Sequence, residues 1–277
     1  MKHRLIGFIG GGNMACSLIG GLIADGRKTS DIWVADPSGQ QRNAVQSRFG
    51  VNTTASNTEV VAKADVIVFA VKPQIIKDVT EKLGAAIRHR KGLVISIAAG
   101  IRIEDLDRWL GNGIPIVRAM PNIAVLVRSG ATALYANPHV SDNQRSQAES
   151  IMRAVGLTLW LDQESQMDAV TALSGSGPAY FFLIIEVLEN AAIKLGLPHE
   201  TARLLALQTA FGAAKMALET TEECATLRER VTSPGGTTEQ AITVLQQGKI
   251  QDLFDRALQA AHHRAMELAE LLGSRDG

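Results

Sequence analysis

The chain has 277 residues, 46% of them hydrophobic and 20% charged, with 28 basic residues balanced by 28 acidic ones. This composition excludes a disordered protein, and with no net charge a nucleic-acid or membrane-surface partner is not expected. Two cysteines, Cys16 and Cys224, are too few for a disulfide framework and have no companions at metal-ligand spacing, so a cytoplasmic protein without a metal is expected.

The length allows two domains at roughly 100–200 residues each. The first signal is Arg4 to Ala15, RLIGFIGGGNMA: an apolar run ends in three glycines, and Asn13 to Ala24 then reads as a helix. Gly10, Gly12 and Ala15 fit the G-x-G-x-x-G/A pattern of a dinucleotide-binding turn. In that pattern Gly10 makes the turn, Gly12 admits a pyrophosphate and Ala15 lets the helix lie close on the strand, so Ile9, Gly10, Gly11, Gly12, Asn13 and Met14 form the candidate cofactor loop. This apolar run holds three glycines and no small-residue cleavage site, so it does not read as a signal peptide.

The next strand, Ile32 to Ala35, ends in Asp36, close to the ~20-residue offset at which an acid meets the adenosine ribose. An acid there favours NADH, because it accepts from the 2′-OH and repels a 2′-phosphate. Ser38 and Arg42 are near enough to help a 2′-phosphate, so both NADH and NADPH are expected to work. Ser38 to Phe49 is helix-compatible, closed by Gly50, and Val51 to Ala55 is a short strand. Ser56 and Glu59 have capping-box spacing, which puts Asn57 at the start of a helix, with a role in capping or beside the adenosine.

Val66 to Val71 reads as a buried parallel strand and leads into Lys72-Pro73. Ligands of open α/β sheets bind beyond the carboxyl ends of strands, so Lys72 is placed where a nicotinamide or substrate would lie. The helix from Pro73 to about Arg88 precedes a strand, Leu93 to Ala98, followed by Ala99-Gly100, small residues that suit close backbone contact with a flat ring. A helix (Ile103 to Leu110), strands (Ile114 to Arg118, Ala131 to Ala136), a helix (Ser141 to Val155) and a last strand (Leu157 to Leu161) continue the alternation, which predicts a doubly wound sheet over residues 1–163.

From Glu164 onward only helices are expected. Met167 to Leu173 is followed by Ser174-Gly175-Ser176-Gly177-Pro178, with the proline suited to start a long helix. Ala179 to Leu195 is apolar on nearly every face and needs a second subunit to cover it. Its longest apolar block, Ala179 to Val187, is broken by Glu186 and falls short of the ~18 residues of a membrane span. A helix from about Glu200 to Leu218 follows. In Ser233-Pro234-Gly235-Gly236-Thr237-Thr238, a turn feeds a helix, Gln240 to Leu245, with Thr237 or Thr238 as cap and an anion-attracting N-terminus. Asp252 to Leu272 is the final helix.

The glycine loop, A-V-K-P (Ala70 to Pro73), M-P-N (Met120 to Asn122), D-A-V-T-A-L-S-G-S-G-P-A-Y (Asp168 to Tyr180) and S-P-G-G-T-T (Ser233 to Thr238), in this order along the whole chain, resemble the pyrroline-5-carboxylate reductases. The resemblance implies an α/β protein, an N-terminal Rossmann-like doubly wound sheet (1–163) followed by an all-α helical dimerisation domain (164–277). It implies a homodimer, with a decamer as the larger ring, and NADPH or NADH as cofactor. By the same resemblance Ala70 to Pro73 and Ile97 to Ala99 line the nicotinamide and Asn57 the adenosine end. Ser233, Gly235, Gly236, Thr237 and Thr238 hold the carboxylate of pyrroline-5-carboxylate. Thr238 also hydrogen-bonds the ring nitrogen, and Glu164 is a further substrate-side position.

The chemistry agrees with the residues. A protonated cyclic imine is already electrophilic and needs positioning more than acid–base machinery, and none of the six histidines lies beside these motifs. Hydroxyacid dehydrogenases of similar build carry a lysine where this chain has Phe181, which disfavours that alternative. A nucleotide-sensing module without catalysis is the other, and it would have no use for a second anion-binding helix start.

Overall fold

The computed structural model describes residues 4–273. Short apolar and β-branched runs build eight strands: β1 (Ile6–Ile9), β2 (Ile32–Ala35), β3 (Asn52–Thr54), β4 (Val66–Phe69), β5 (Leu93–Ser96), β6 (Ile116–Pro121), β7 (Gly130–Ala136) and β8 (Gly156–Trp160). They form one sheet in the order β3-β2-β1-β4-β5-β6-β7-β8. All neighbours are parallel except β6 and β7. The sheet is therefore mixed where alternation alone suggested regular winding. The reason is the connection 122–129, which holds only a 3₁₀ turn (Ile123–Val127) and is too short for a parallel crossover of a dozen or more residues.

Helices α1 (Asn13–Ala24), α2 (Gly39–Phe49) and α6 (Asp142–Arg153) pack Leu18, Val45 and Met152 on one face of the sheet, against Phe8, Val68 and Ile95. Helices α3 (Asn57–Lys63), α4 (Ile76–Arg90) and α5 (Ile103–Leu110) pack Val61, Leu83 and Leu106 on the other, against Ile9, Ile67 and Phe69. Successive strand residues thus serve opposite cores, which is why the strands read as unbroken apolar runs.

Local signals hold with differences. Ser38 caps α2 and Gly50 ends it in the left-handed region at φ 67°. The Ser56 box is half formed: Ser56 Oγ accepts the Glu59 N–H at 3.2 Å, but the Glu59 carboxylate accepts instead from Thr54 Oγ1 (2.6 Å) and Lys63 (2.8 Å). A complete capping box forms instead at Ser141 with Gln144, at the start of α6. Pro73 opens a 3₁₀ turn (Pro73–Ile75) before α4.

The remaining helices are α7 (Gln166–Val170), α8 (Gly177–Lys194), α9 (His199–Glu219), α10 (Cys224–Arg230), α11 (Thr237–Gln247) and α12 (Ile250–Gly273). The expected break at Ser174 to Pro178 is absent. A π-helical turn (Thr171–Gly175) joins α7 to α8, with Ser176 N–H donating to Thr171 C=O at 2.9 Å, so residues 166–194 form one helix of 29 residues. The wider turn lets the chain stay helical up to Pro178, which has no N–H to give. This corrects the length expectation too, since the joined helix is long and apolar enough to cross a membrane by length and composition.

The chain divides into two compact units, one made of the residues up to Ser176 together with those from Ala261 onward, the other of Gly177–Ala260. In the first, the end of α12 is held by Arg108, whose Nη2 donates to Gly273 C=O (3.1 Å) and to Asp105 (2.9 Å). In the second, α8 packs on α9 but leaves much of its apolar surface exposed, Phe182 at 66%.

Candidate active site

The glycine loop follows from β1. Gly10 has φ +98°, and a Cβ there would lie 2.7 Å from the Ala70 carbonyl oxygen, so the turn from β1 into α1, packed against the end of β4, admits only glycine. Gly12 is the N-cap of α1, has no side-chain cap, and a Cβ on it would meet nothing within 4 Å. The first-turn N–H groups of α1 are thus offered on an open side, the arrangement that receives a pyrophosphate. These residues fit a dinucleotide.

Gly11 is buried and held from both ends of its peptide. Its N–H donates to Asp36 Oδ2 at 2.9 Å, and its carbonyl accepts from Gln41 Nε2 and, at 3.4 Å, from Cys16 Sγ. Burial pushes the Cys16 thiol above its ordinary range, Arg48 opposing and Asp36 reinforcing the shift. The other Asp36 oxygen accepts from Ser38 N–H at 2.9 Å. Both oxygens of the acid expected to face a ribose thus also accept from backbone. Arg42 lies beside it, Nη1 donating to the carbonyls of Asp36 (2.7 Å) and Pro37 (2.9 Å).

The strand ends stand side by side. Ala70 N–H donates to Ile9 C=O (2.9 Å) and Ile97 N–H to Phe69 C=O (3.2 Å), which aligns Ile9, Ala70 and Ile97 along the carboxyl edge of the sheet. Beyond it Val71 and Pro73 are half-buried, Lys72 and Ala99 are exposed, and Ala98 is buried. Asn13 is exposed, Met14 half-buried, and Asn57 is the first residue of α3, half-buried beyond β3.

Glu164 is placed by a buried cation. Its Oε1 accepts from Arg118 Nη1 and from the Ile103 N–H, both at 2.8 Å, tying β6 to the first residue of α5. Arg118 is 3% exposed and Glu164 22%. Around this pair lies a cleft of about 540 Å³ lined also by Arg102, Asp168 and His262. Sequence reasoning passed over Arg118; an arginine inside an otherwise apolar strand, Ile116 to Ala119, was its signal.

In the second unit Ser233 to Gly236 is a tight turn, Gly236 N–H donating to Ser233 C=O at 3.0 Å, with Pro234 before Gly235 at φ +72°. This is a type II pattern. Helix α11 starts at Thr237, earlier than Gln240, and its N-cap is Gly236 with no side-chain cap, so neither threonine hydroxyl caps it. The Gly235 N–H is met by Glu239 Oε2 at 2.7 Å. Thr237 is exposed and Thr238 half-buried in the uncapped first turn.

Comparison with known proteins adds the family. Residues 164–268 match the model for pyrroline-5-carboxylate reductase dimerisation, and residues 5–100 match a model described as NADP oxidoreductase, coenzyme F420-dependent. A pyrroline-5-carboxylate reductase of Pseudomonas aeruginosa is 52% identical over 273 residues, covering 99% of this chain and 100% of its relative. The chain belongs to the pyrroline-5-carboxylate reductase family. Among solved structures, the family member from Coxiella burnetii is 51% identical with a TM-score of 0.93, covering 96% of this chain and 99% of that one. The Plasmodium falciparum enzyme, solved with NADP bound, is 30% identical with a TM-score of 0.85, covering 97% and 99%. The family's dimerisation region contains α8 and α9, whose exposed apolar faces suit a subunit interface.

Proposed function

We propose that this chain reduces 1-pyrroline-5-carboxylate to L-proline, the last step of proline biosynthesis. Bound NADPH or NADH would supply a hydride to the imine carbon, while the ring nitrogen would carry the proton. The observation that carries this reading is the end-to-end likeness to reductases of that name. Two helix starts without side-chain caps, at Gly12 and Gly236, support it as donors to a pyrophosphate and to a substrate carboxylate.

The cofactor supplies the hydride; the protein binds and orients. In this reading Ile9 to Met14, Asp36, Asn57, Ala70 to Pro73 and Ile97 to Ala99 hold the nucleotide. Ser233 and Gly235 to Thr238 hold the carboxylate, Thr238 hydrogen-bonds the ring nitrogen, and Glu164 stands on the substrate side. Because Glu239 already meets the Gly235 N–H, Gly235 serves by shaping the turn, and the N–H groups of Thr237 and Thr238 are the donors to the carboxylate. Residues 1–163 act as the nucleotide half and 164–277 as the helical half, in a cytoplasmic homodimer that assembles into a decamer.

Assay with pyrroline-5-carboxylate and with hydroxyacids in parallel tests the substrate: reduction of the imine alone is expected, and inactivity on it ends the reading. Thr238→Ala should lose most of that activity. A fully active monomer on dilution would refute a site that needs the dimer.

A further inference from the structure

We infer that Asp36 is a positioning residue for the glycine loop and does not set the choice between NADH and NADPH. The inference rests on the nucleotide-binding reading above and concerns what this acid does within it. Both carboxylate oxygens are engaged by backbone, Oδ2 by Gly11 N–H and Oδ1 by Ser38 N–H, each at 2.9 Å. The Gly11 carbonyl is held in turn by Gln41 Nε2 and Cys16 Sγ.

Gly11 sits between the constrained turn residue and the start of α1. Gly10 is fixed by its positive φ and by the Ala70 carbonyl, and Gly12 is the N-cap from which α1 starts. Tilting the Gly11 peptide therefore redirects the N–H groups of the α1 start, which face the part that the two nucleotides have in common. The charge of Asp36 is also not that of a lone acid, because the Arg42 guanidinium is bonded to the carbonyl of the same residue at 2.7 Å. A residue acting through the shared pyrophosphate must affect both nucleotides alike. One acting on the ribose 2′ position must affect them in opposite directions.

The test is titration of wild type, Asp36→Ala, Asp36→Asn and Gln41→Ala with NADH and NADPH, by nucleotide fluorescence and without imine. Amide exchange at Gly11 is followed in the nucleotide-free proteins. Loss of a hydrogen bond to a charged acceptor predicts that Asp36→Ala raises both Kd values by about 10- to 100-fold. The ratio of the two should stay within about threefold, and Gly11 exchange should quicken. Asp36→Asn, which keeps one acceptor oxygen, should recover part of the loss for both nucleotides. Gln41→Ala, a change on the surface helix α2, should raise both Kd values together by a smaller factor and so tests the clamp even if Asp36→Ala does not fold. Weaker NADH binding with NADPH binding kept or improved would overturn the inference. So would unchanged Gly11 exchange in Gln41→Ala together with unchanged Kd values. Imine turnover is scored separately, and its absence would refute the proposed substrate without altering the ratio of Kd values.

Discussion

Replacing Glu164 separates a structural role for this acid from a substrate-binding one. In Glu164→Ala the Arg118 guanidinium, 3% exposed, loses its 2.8 Å partner, and the Ile103 N–H at the start of α5 loses its acceptor. Breaking a buried pair by removing one member costs about 3–5 kcal/mol, and Glu164, being 22% exposed, argues for the lower end. An orphaned helix-start N–H adds about 1 kcal/mol. A total near 4 kcal/mol corresponds to a fall in Tm of roughly 8–16 °C for a chain of this size. The assay is thermal unfolding at fixed protomer concentration, since association shifts the midpoint. Glu164→Leu combined with Arg118→Met should recover at least about 1 kcal/mol relative to the sum of the single changes, because no charge is then stranded. A Tm within about 2 °C of wild type in Glu164→Ala, with a raised KM for the imine, would refute this reasoning and make Glu164 a substrate ligand alone.

Two glycines of the same loop, Gly10 and Gly12, should behave differently. Gly10→Ala forces a Cβ against the Ala70 carbonyl at positive φ and should cost about 1–3 kcal/mol of stability or more, read by denaturant titration. Gly12→Ala, in open space, should leave Tm unchanged and weaken nucleotide binding. Burial raises the Asp105 carboxyl above the usual range, with Arg108 opposing and Glu104 adding to the shift. A raised folded-state value means that its contribution to stability is fully present below the unfolded value near 3.8 and is lost as pH rises through the folded value. Asp105→Asn should therefore gain stability relative to wild type as pH increases through that window, and a flat difference would contradict it. The Cys16 thiol, raised mainly by burial, should be alkylated several-fold more slowly than a free thiol at neutral pH, measured by mass spectrometry of labelled peptides.

The first half was legible because its signals are local. The run of apolar strands, the Gly50 cap and the glycine loop each depend on a few neighbouring residues, and each stands where the pattern put it. What escaped depends on partners distant in sequence. The offset of Asp36 suits a ribose, but that the Gly11 and Ser38 N–H groups also reach its carboxylate is visible only in the folded loop. Glu59 has capping-box spacing, but Lys63 and Thr54 compete for its carboxylate and win. The antiparallel β7 required the length of the 122–129 connection to be weighed against crossover geometry, not just the apolar pattern. At Ser174 to Pro178, small residues and a proline read as a break because a regular α-helix cannot absorb them. A π turn can, and no short pattern announces one.

That joined helix shows why composition alone misleads about environment. Residues 166–194 meet the length and apolarity of a membrane span, and the part in the second unit exposes Phe181, Phe182, Leu183 and Val187. Lipid and a second protein surface make the same demand on such a face, removal of apolar area from water at roughly 25 cal/mol per Å². They differ in what they tolerate beside it. Glu186 and Glu189 lie within α8, and Glu189 accepts a 3.0 Å contact from His199 at the start of α9. A carboxylate in mid-helix is costly in hydrocarbon but ordinary at a protein interface, where water and paired side chains reach it. The dimerisation match across 164–268 agrees with that choice. The apolar face of α8 thus suits a subunit surface, and the stability of the helical half should rise with protomer concentration.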